Sequence, residues 1–316
     1  MDREERALFA KGVQDATARG TGADLDAALA VLGWADALAL DERAAVADLF
    51  EAQGRAGVTS GALDVVLARA LGAPVGPVVL PPLGRTAPPG RLHDGTITVQ
   101  GLGTTRVGGE GSAHVVCAAD GGAVLATVEL PGLARRVIRG LDPELGLVEV
   151  SGTPAPVTTR TIPSALWDDA VAAGQRAIAH ELVGAAAAML ELARQHALDR
   201  IQFGVPIASF QAVRHRLADS LVAVESARGA LDAAWEAGSP FDAAVAKAIS
   251  GRGARLVARH AQQVLAGIGF TLEHPLHGYV RRVRVLDGLL GDARSLTREL
   301  GERLLRERAL PAILPL

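Results

Sequence analysis

The sequence predicts an α+β multidomain chain: an N-terminal helical domain over residues 1–72, a linker and small middle β-domain over 73–162, and a C-terminal four-helix bundle over 163–316. Three observations carry this. Apolar residues recur at helical spacing before residue 72 and after residue 164. Between 91 and 162 they gather in short β-rich runs set apart by Gly, Asp and Pro. Six prolines crowd residues 73–90 and mark a linker. A length of 316 residues leaves room for about two or three domains.

In the first segment Phe9, Val13 and Ala16 share a helical face, and Leu25, Ala28, Leu29 and Leu32 share another. Asp41 is placed to cap a helix through Ala45, Val46, Leu49 and Phe50, because its carboxylate can accept the free amides of a first turn. Thr59-Ser60-Gly61 breaks the chain before a last run from Leu63 to Leu71. Leu32-Gly33-Trp34 reads as a turn, with Trp34 in the core. The β-rich runs fall at 96–100, 114–117, 123–129 and 147–150 and suggest an antiparallel sandwich or barrel. Gly101, Gly103, Gly108, Gly109 and Gly111 lie close together, but Arg106 interrupts the spacing of a dinucleotide loop and no helix follows. A hairpin loop is the expectation there. Helices are expected over about 165–198, 206–237, 241–266 and 275–309, the last broken near Gly288 and Gly291, with Pro163, Pro240 and Pro275 at helix starts. Short connections between them imply an antiparallel bundle.

Composition excludes several function classes. A net charge of −3 gives no pull toward nucleic acid or an anionic membrane. One cysteine, Cys117, excludes a disulfide framework and fits a reducing compartment, and its β-rich setting implies burial. Residues 1–20 are charged and lack a secretory apolar region, and no apolar run nears the ~20 residues of a membrane helix. The expectation is a cytoplasmic chain. His274 and His277 have no second pair or acidic partner that would complete a metal site.

The stretch from Asp199 to Ile207 joins the two longest helical rows. Gly204 can stop one helix and Pro206 can open the next, which places Arg200, Gln202 and Phe203 at a helix–helix corner. A cation, an amide and an aromatic within one turn suit a phosphate beside a flat heterocycle. The same spacing also reads as a hairpin whose Phe fills the core and whose Arg is solvated.

Arg200-Ile-Gln-Phe-Gly-Val-Pro-Ile-Ala-Ser-Phe-Gln211 resembles the R-x-Q-F-G-x-P-I-x-x-F-Q run of the acyl-CoA dehydrogenase C-terminal domain. Gln263-Val-Leu-Ala-Gly267-Ile-Gly269-Phe270-Thr-Leu-Glu273-His-Pro275 is similar to a second run of that family, and Arg139-Gly-Leu-Asp-Pro143 to the end of its middle domain. The resemblance implies FAD and an acyl-CoA substrate, with Arg200 at the pyrophosphate, Gln202 and Phe203 on the adenosine side, and Gln263 and Gly267 on the other flank. In the family these residues serve the FAD of a neighbouring subunit. The family's carboxylate base has two known positions. One falls on Leu290, and the other, beside Arg176, is preceded by Gly174-Gln175, so no carboxylate stands at either. The flavin-ring motifs of the middle domain have no counterpart between 73 and 162. The expectation is a short, degenerate subunit of a heteromeric (α2β2) steroid-catabolic enzyme, sharing FAD with a second, full-length subunit that supplies the base. Two alternatives stand beside it: a self-sufficient homo-oligomer using Asp292 as base, and a scaffold of the same fold. Glu273 and Asp287 are the other carboxylates near the second run.

Overall fold

The computed structural model describes residues 3–104 and 111–308. Arg106, Gly108 and Gly109 of the glycine-rich stretch lie outside the described residues. The chain opens with helices α1 (Arg3–Arg19), α2 (Ala23–Leu32), α3 (Trp34–Leu40), α4 (Glu42–Ala56) and α5 (Ala62–Ala70). Asp41 caps α4, its carboxylate accepting the Ala44 amide at 3.0 Å. Gly33 adopts φ 73°, which ends α2 and begins α3, a seven-residue helix where only a turn was expected. Trp34 is core, 3% exposed, and its indole donates to the Ala45 carbonyl at 3.0 Å.

The middle of the chain forms one seven-stranded sheet of order β5-β6-β2-β1-β3-β4-β7. Its strands are β1 (Gly90–His93), β2 (Thr96–Gly103), β3 (Ser112–Ala119), β4 (Gly122–Glu129), β5 (Ala134–Val137), β6 (Val148–Gly152) and β7 (Pro156–Ile162). The sheet buries an apolar core of its own, with Ile97, Val99, Val115, Val128 and Val150 in it, and departs from the expected antiparallel arrangement in one pair. These seven strands make a single sheet with β5 and β7 at its edges, and β1 runs parallel to β3 while the other pairings in it are antiparallel. Edge strands carry little apolar alternation, since water faces most of their side chains. β5 is exposed throughout and β7 nearly so, which is why neither stood out in the sequence. Cys117 is buried in β3, and burial pushes its thiol up to about 11.

The proline-rich segment is not a free linker. Val78, Val79 and Leu80 are buried, and bridges tie Val78 to His114 and Leu80 to Leu102. The prolines flank an apolar strap laid across the sheet, and Gly101 leaves it room: a Cβ there would sit 2.3 Å from the Leu80 carbonyl oxygen.

The remaining helices are α6 (Ser164–Asp199), α7 (Gln211–Ala237), α8 (Pro240–Leu265), α9 (Leu276–Gly288) and α10 (Ala293–Glu307). α6 is the central rod. It packs on α4 through Gly54 and Gly184, whose missing side chains let the two backbones touch. The break between α9 and α10 is clamped by buried Lys247, which donates to the carbonyls of Asp287 at 2.8 Å and Gly291 at 3.1 Å. Among the described residues no helix is long and apolar enough to cross a membrane.

Candidate functional site

The corner between α6 and α7 differs from the expected helix–helix junction. α6 stops at Asp199, and the chain then folds into a small hairpin of β8 (Ile201–Gln202) and β9 (Val205–Pro206) before α7 begins at Gln211. Gly204 is therefore a hairpin turn, not a helix stop, and Pro206 belongs to β9 rather than opening α7. Phe203 and Gly204 both take positive φ, 53° and 80°, as a tight two-residue hairpin turn requires. This thrusts Phe203 outward. It is 93% exposed, against the reading that placed it in the core, and it meets Phe210 edge-to-face with ring centroids 6.2 Å apart. The Arg200 carbonyl accepts the Ile207 amide at 2.8 Å, which fixes the hairpin to the helix end and leaves the Arg200 side chain exposed. The Gln202 amide is exposed too and donates to the Ile201 carbonyl at 2.8 Å.

The second motif lies at the end of α8. Gln263 and Gly267 are exposed, and a 3₁₀ turn from Ala266 to Phe270 presents Phe270 at 71% exposure, with Leu272 also exposed beyond it. Ala266 holds φ 50° and ψ −131°, a conformation natural to glycine, which accounts physically for the glycine of the resembled motif and strains the alanine here. The two motifs lie at the same end of the bundle: His196 is lowered by burial and further by the nearby charges of His274 and Arg200. Together they form an exposed rim of aromatic rings, amides and a guanidinium. Such a rim can receive a flat heterocycle and a phosphate presented from outside the chain.

Both base positions are occupied by residues that bond within the chain. Leu290 is fully buried at φ 54°, and its carbonyl accepts the Gln175 side-chain amide at 2.9 Å. The two positions assigned to the base are thus bonded to each other. Gly174 seats the leucine, since a Cβ there would stand 2.4 Å from Leu290 Cδ1. Asp292, the alternative base, caps α10 instead. Burial alone would raise its carboxyl, but hydrogen bonds from Ser295 and Arg294 outweigh that and hold it below the usual value. Replacing Asp292 with Ala is expected to cost about 1 kcal/mol in thermal or urea unfolding, the usual loss for a cap. Asp287 is buried against Arg255 at 3.2 Å, and Glu273 is exposed. His277 Nδ1 lies 2.7 Å from the His274 carbonyl oxygen, and His274 Nδ1 accepts the Leu276 amide.

Sequence reasoning missed a buried polar cluster. Glu181 of α6, Arg282 of α9, Asp142 and Gln53 of α4 are all nearly or fully enclosed. Arg282 pairs with Asp142 and lies 3.7 Å from Glu181, while Gln53 donates to Glu181 at 2.9 Å. Glu181 Oε1 has no hydrogen-bond partner, and burial pushes the carboxyl up to about 7. The group borders a cavity of about 50 Å³ where Leu80, Leu147 and Leu286 meet. That space is far below the few hundred Å³ of a ligand pocket, so a flavin ring does not fit inside the chain there. One signal was readable: a glutamate set among Ile178, Leu182 and Ala185 on the apolar face of the longest helix.

An N-terminal helical unit, a mixed sheet and a helical bundle, in that order, define the acyl-CoA dehydrogenase fold. The chain superposes on the Tcur3481–Tcur3483 steroid ACAD with a TM-score of 0.79 at 23% identity, covering 97% of each chain. It superposes on the ChsE4–ChsE5 complex from Mycobacterium tuberculosis with a TM-score of 0.77 at 22% identity, covering 99% of each. Residues 170–305 match the family described as acyl-CoA dehydrogenase, C-terminal domain. Over 123 residues the chain is 37% identical to acyl-CoA dehydrogenase IpdE2 of Mycobacterium tuberculosis, a match spanning 39% of each protein. Over residues 170–305 the chain belongs to the acyl-CoA dehydrogenase C-terminal domain family, and the whole chain shares that family's fold.

Proposed function

We propose that this chain is one subunit of a cytoplasmic, heteromeric FAD-dependent acyl-CoA dehydrogenase. It completes the cofactor site of a second, full-length subunit and supplies no base of its own. The carrying observation is the Gln175–Leu290 contact: both base positions hold an amide or an apolar side chain, and the Gln175 amide is engaged by the Leu290 backbone carbonyl. The outward rim fits the same reading. Arg200 would hold a pyrophosphate, Gln202 and Phe203 would flank the adenosine side, and Gln263 and Gly267 would line the opposite flank. FAD, when bound, supplies the hydride acceptor of α,β-desaturation. This chain's part is to bind and orient the nucleotide end and to exclude water from it. The partner's carboxylate removes the α-proton. Two structural relatives are named as two-protein assemblies, and one of them is named a steroid ACAD, which favours a bulky, steroid-derived acyl-CoA as the complex's substrate. In this reading residues 1–72, 73–162 and 163–316 act as the helical, β and bundle parts of the subunit.

The visible flavin spectrum tests this. The chain purified alone should be colourless, and co-expressed with its full-length partner it should yield a yellow complex that Arg200→Ala bleaches. A yellow single chain would overturn the proposal in favour of a self-sufficient enzyme. Colourless preparations with every partner would leave a scaffold.

A further inference from the structure

Charge is segregated in this molecule. The whole chain carries −3, yet α8 and α9 together hold seven Lys and Arg against two Asp. Lys247 and Arg282 are buried, so the excess appears outside as Arg252, Arg255 and Arg259 on α8 and Arg284 on α9, all exposed. The α8 arginines step by three and four residues along one face, a row about 10 Å long. Arg255 is engaged with Asp287 at 3.2 Å. Arg252, Arg259 and Arg284 make no salt bridge among the described residues.

The row stands between two clefts. One, of about 770 Å³, lies between α7 and α8, with Val222, Ile249 and Leu256 in its walls. The other, of about 370 Å³, lies between α8 and α9, with Val280 and Val283 in its walls and Arg284 at its rim. Val222 is 64% exposed. The larger cleft has apolar walls with Asp219 as its one carboxylate, the smaller is mixed, and both are rimmed by guanidiniums of which Arg255 alone is paired among the described residues, a make-up that suits a protein interface. A nucleic-acid backbone could neutralise the arginines but has no apolar side chains to fill the troughs.

We propose that this α7–α8–α9 face docks an acidic helix of the full-length subunit, with carboxylates at steps of three and four residues opposite Arg252 and Arg259 and apolar side chains seated in the two clefts. The inference rests on the heteromeric reading above and gives it a second contact, built from α8 side chains other than the exposed rim residues. The long planar guanidiniums suit this role, because each can hold a carboxylate through two donors while its stem covers apolar surface.

The test uses Arg252→Glu, Arg259→Glu and Arg284→Glu combined, with Arg255 left to its Asp287 contact. The probe is the full-length subunit that yields the yellow complex with wild type. Sedimentation or titration calorimetry should show binding weakened on the order of a hundredfold, with unchanged circular dichroism and melting of the isolated chain. Wild-type affinity should fall as salt rises from about 50 to 300 mM, and the triple Lys variant should bind between wild type and the triple Glu variant. Carboxylate-to-Arg changes on the partner's helix should restore binding to the triple Glu variant. Undiminished binding by that variant would overturn this surface while leaving the heteromeric reading intact. If wild type assembles with no flavin-carrying subunit, both readings fall. Loss confined to nucleic-acid binding or to self-association would also overturn the acidic-helix assignment.

Discussion

Arg282→Met should unfold the protein at markedly lower denaturant, with a loss of about 3–5 kcal/mol, the usual cost of removing one partner from a buried ion pair. Methionine fills comparable volume, so the loss is not a cavity effect. Arg282 is 4% exposed, donates to Asp142 and to the Val58 carbonyl at 2.8 Å, and lies 3.7 Å from the Glu181 carboxylate as an ion-pair partner. Without it two enclosed carboxylates face each other with no cation between them. The remaining partner of Glu181 is the Gln53 amide at 2.9 Å, which is itself held by the Ser60 hydroxyl at 2.6 Å. Urea melts of wild type and variant at a fixed pH measure the difference directly.

The same cluster sets a pH dependence. Glu181 titrates near 7 in the folded chain against 4.5 ordinarily, because burial disfavours its charged form. Between those two values the folded state binds the extra proton. Stability therefore falls as pH rises from 4.5 to 7, by an amount on the order of 3 kcal/mol at most, and the contribution is fully present below 4.5. Glu181→Gln should flatten stability across this window. In Arg282→Met the carboxyl loses the cation that lowers it, and the falling limb should extend to higher pH.

The second large effect is steric. A Cβ at Gly184 would lie 2.2 Å from the Glu51 carbonyl oxygen, and one at Gly54 would lie 2.1 Å from the Glu181 carbonyl oxygen. Both obstacles are backbone, so no rotamer change relieves them. α4 and α6 must separate along their whole contact. Overpacking by a methyl typically costs about 1–3 kcal/mol where side chains can yield, so Gly184→Ala should cost at least the upper figure. Alanine's helix propensity returns about 1 kcal/mol, too little to change the sign. Gly229→Ala supplies the control. That glycine sits on the exposed face of α7 with no heavy atom within 4 Å of the added Cβ, so the substitution should stabilise by up to about 1 kcal/mol. Opposite shifts in melting temperature for two chemically identical changes would confirm the argument.

What the sequence made legible follows from how local each signal is. The Asp41 cap, the apolar row of α6 and the four β-rich runs depend on neighbours in the chain, and each has its counterpart in the structure. The hairpin at Ile201–Pro206 was misjudged because Gly and Pro punctuate helices and turns alike, and only the φ values of Phe203 and Gly204 separate the two. Val78–Leu80 looked like linker because proline density outweighed a three-residue apolar run. The Arg282 cluster joins residues more than a hundred positions apart, so no window of sequence contains it. The candidate residues Arg200, Gln202, Phe203, Gln263 and Gly267 were legible as a motif, while their outward presentation was not. A motif fixes residue type, and exposure depends on the turn that carries it.

The hydrogen bond from Gln175 to Leu290 also couples the two positions as sites of substitution. Leu290→Glu alone would push a carboxylate into a space already closed by Gly174 and Gln175. Gln175→Glu alone would remove the donor to the Leu290 carbonyl and bury a charge beside it. Each single substitution is harmful while the other position keeps its present residue. A carboxylate at either position therefore requires a change at the other, so positions 175 and 290 vary as a pair and not singly.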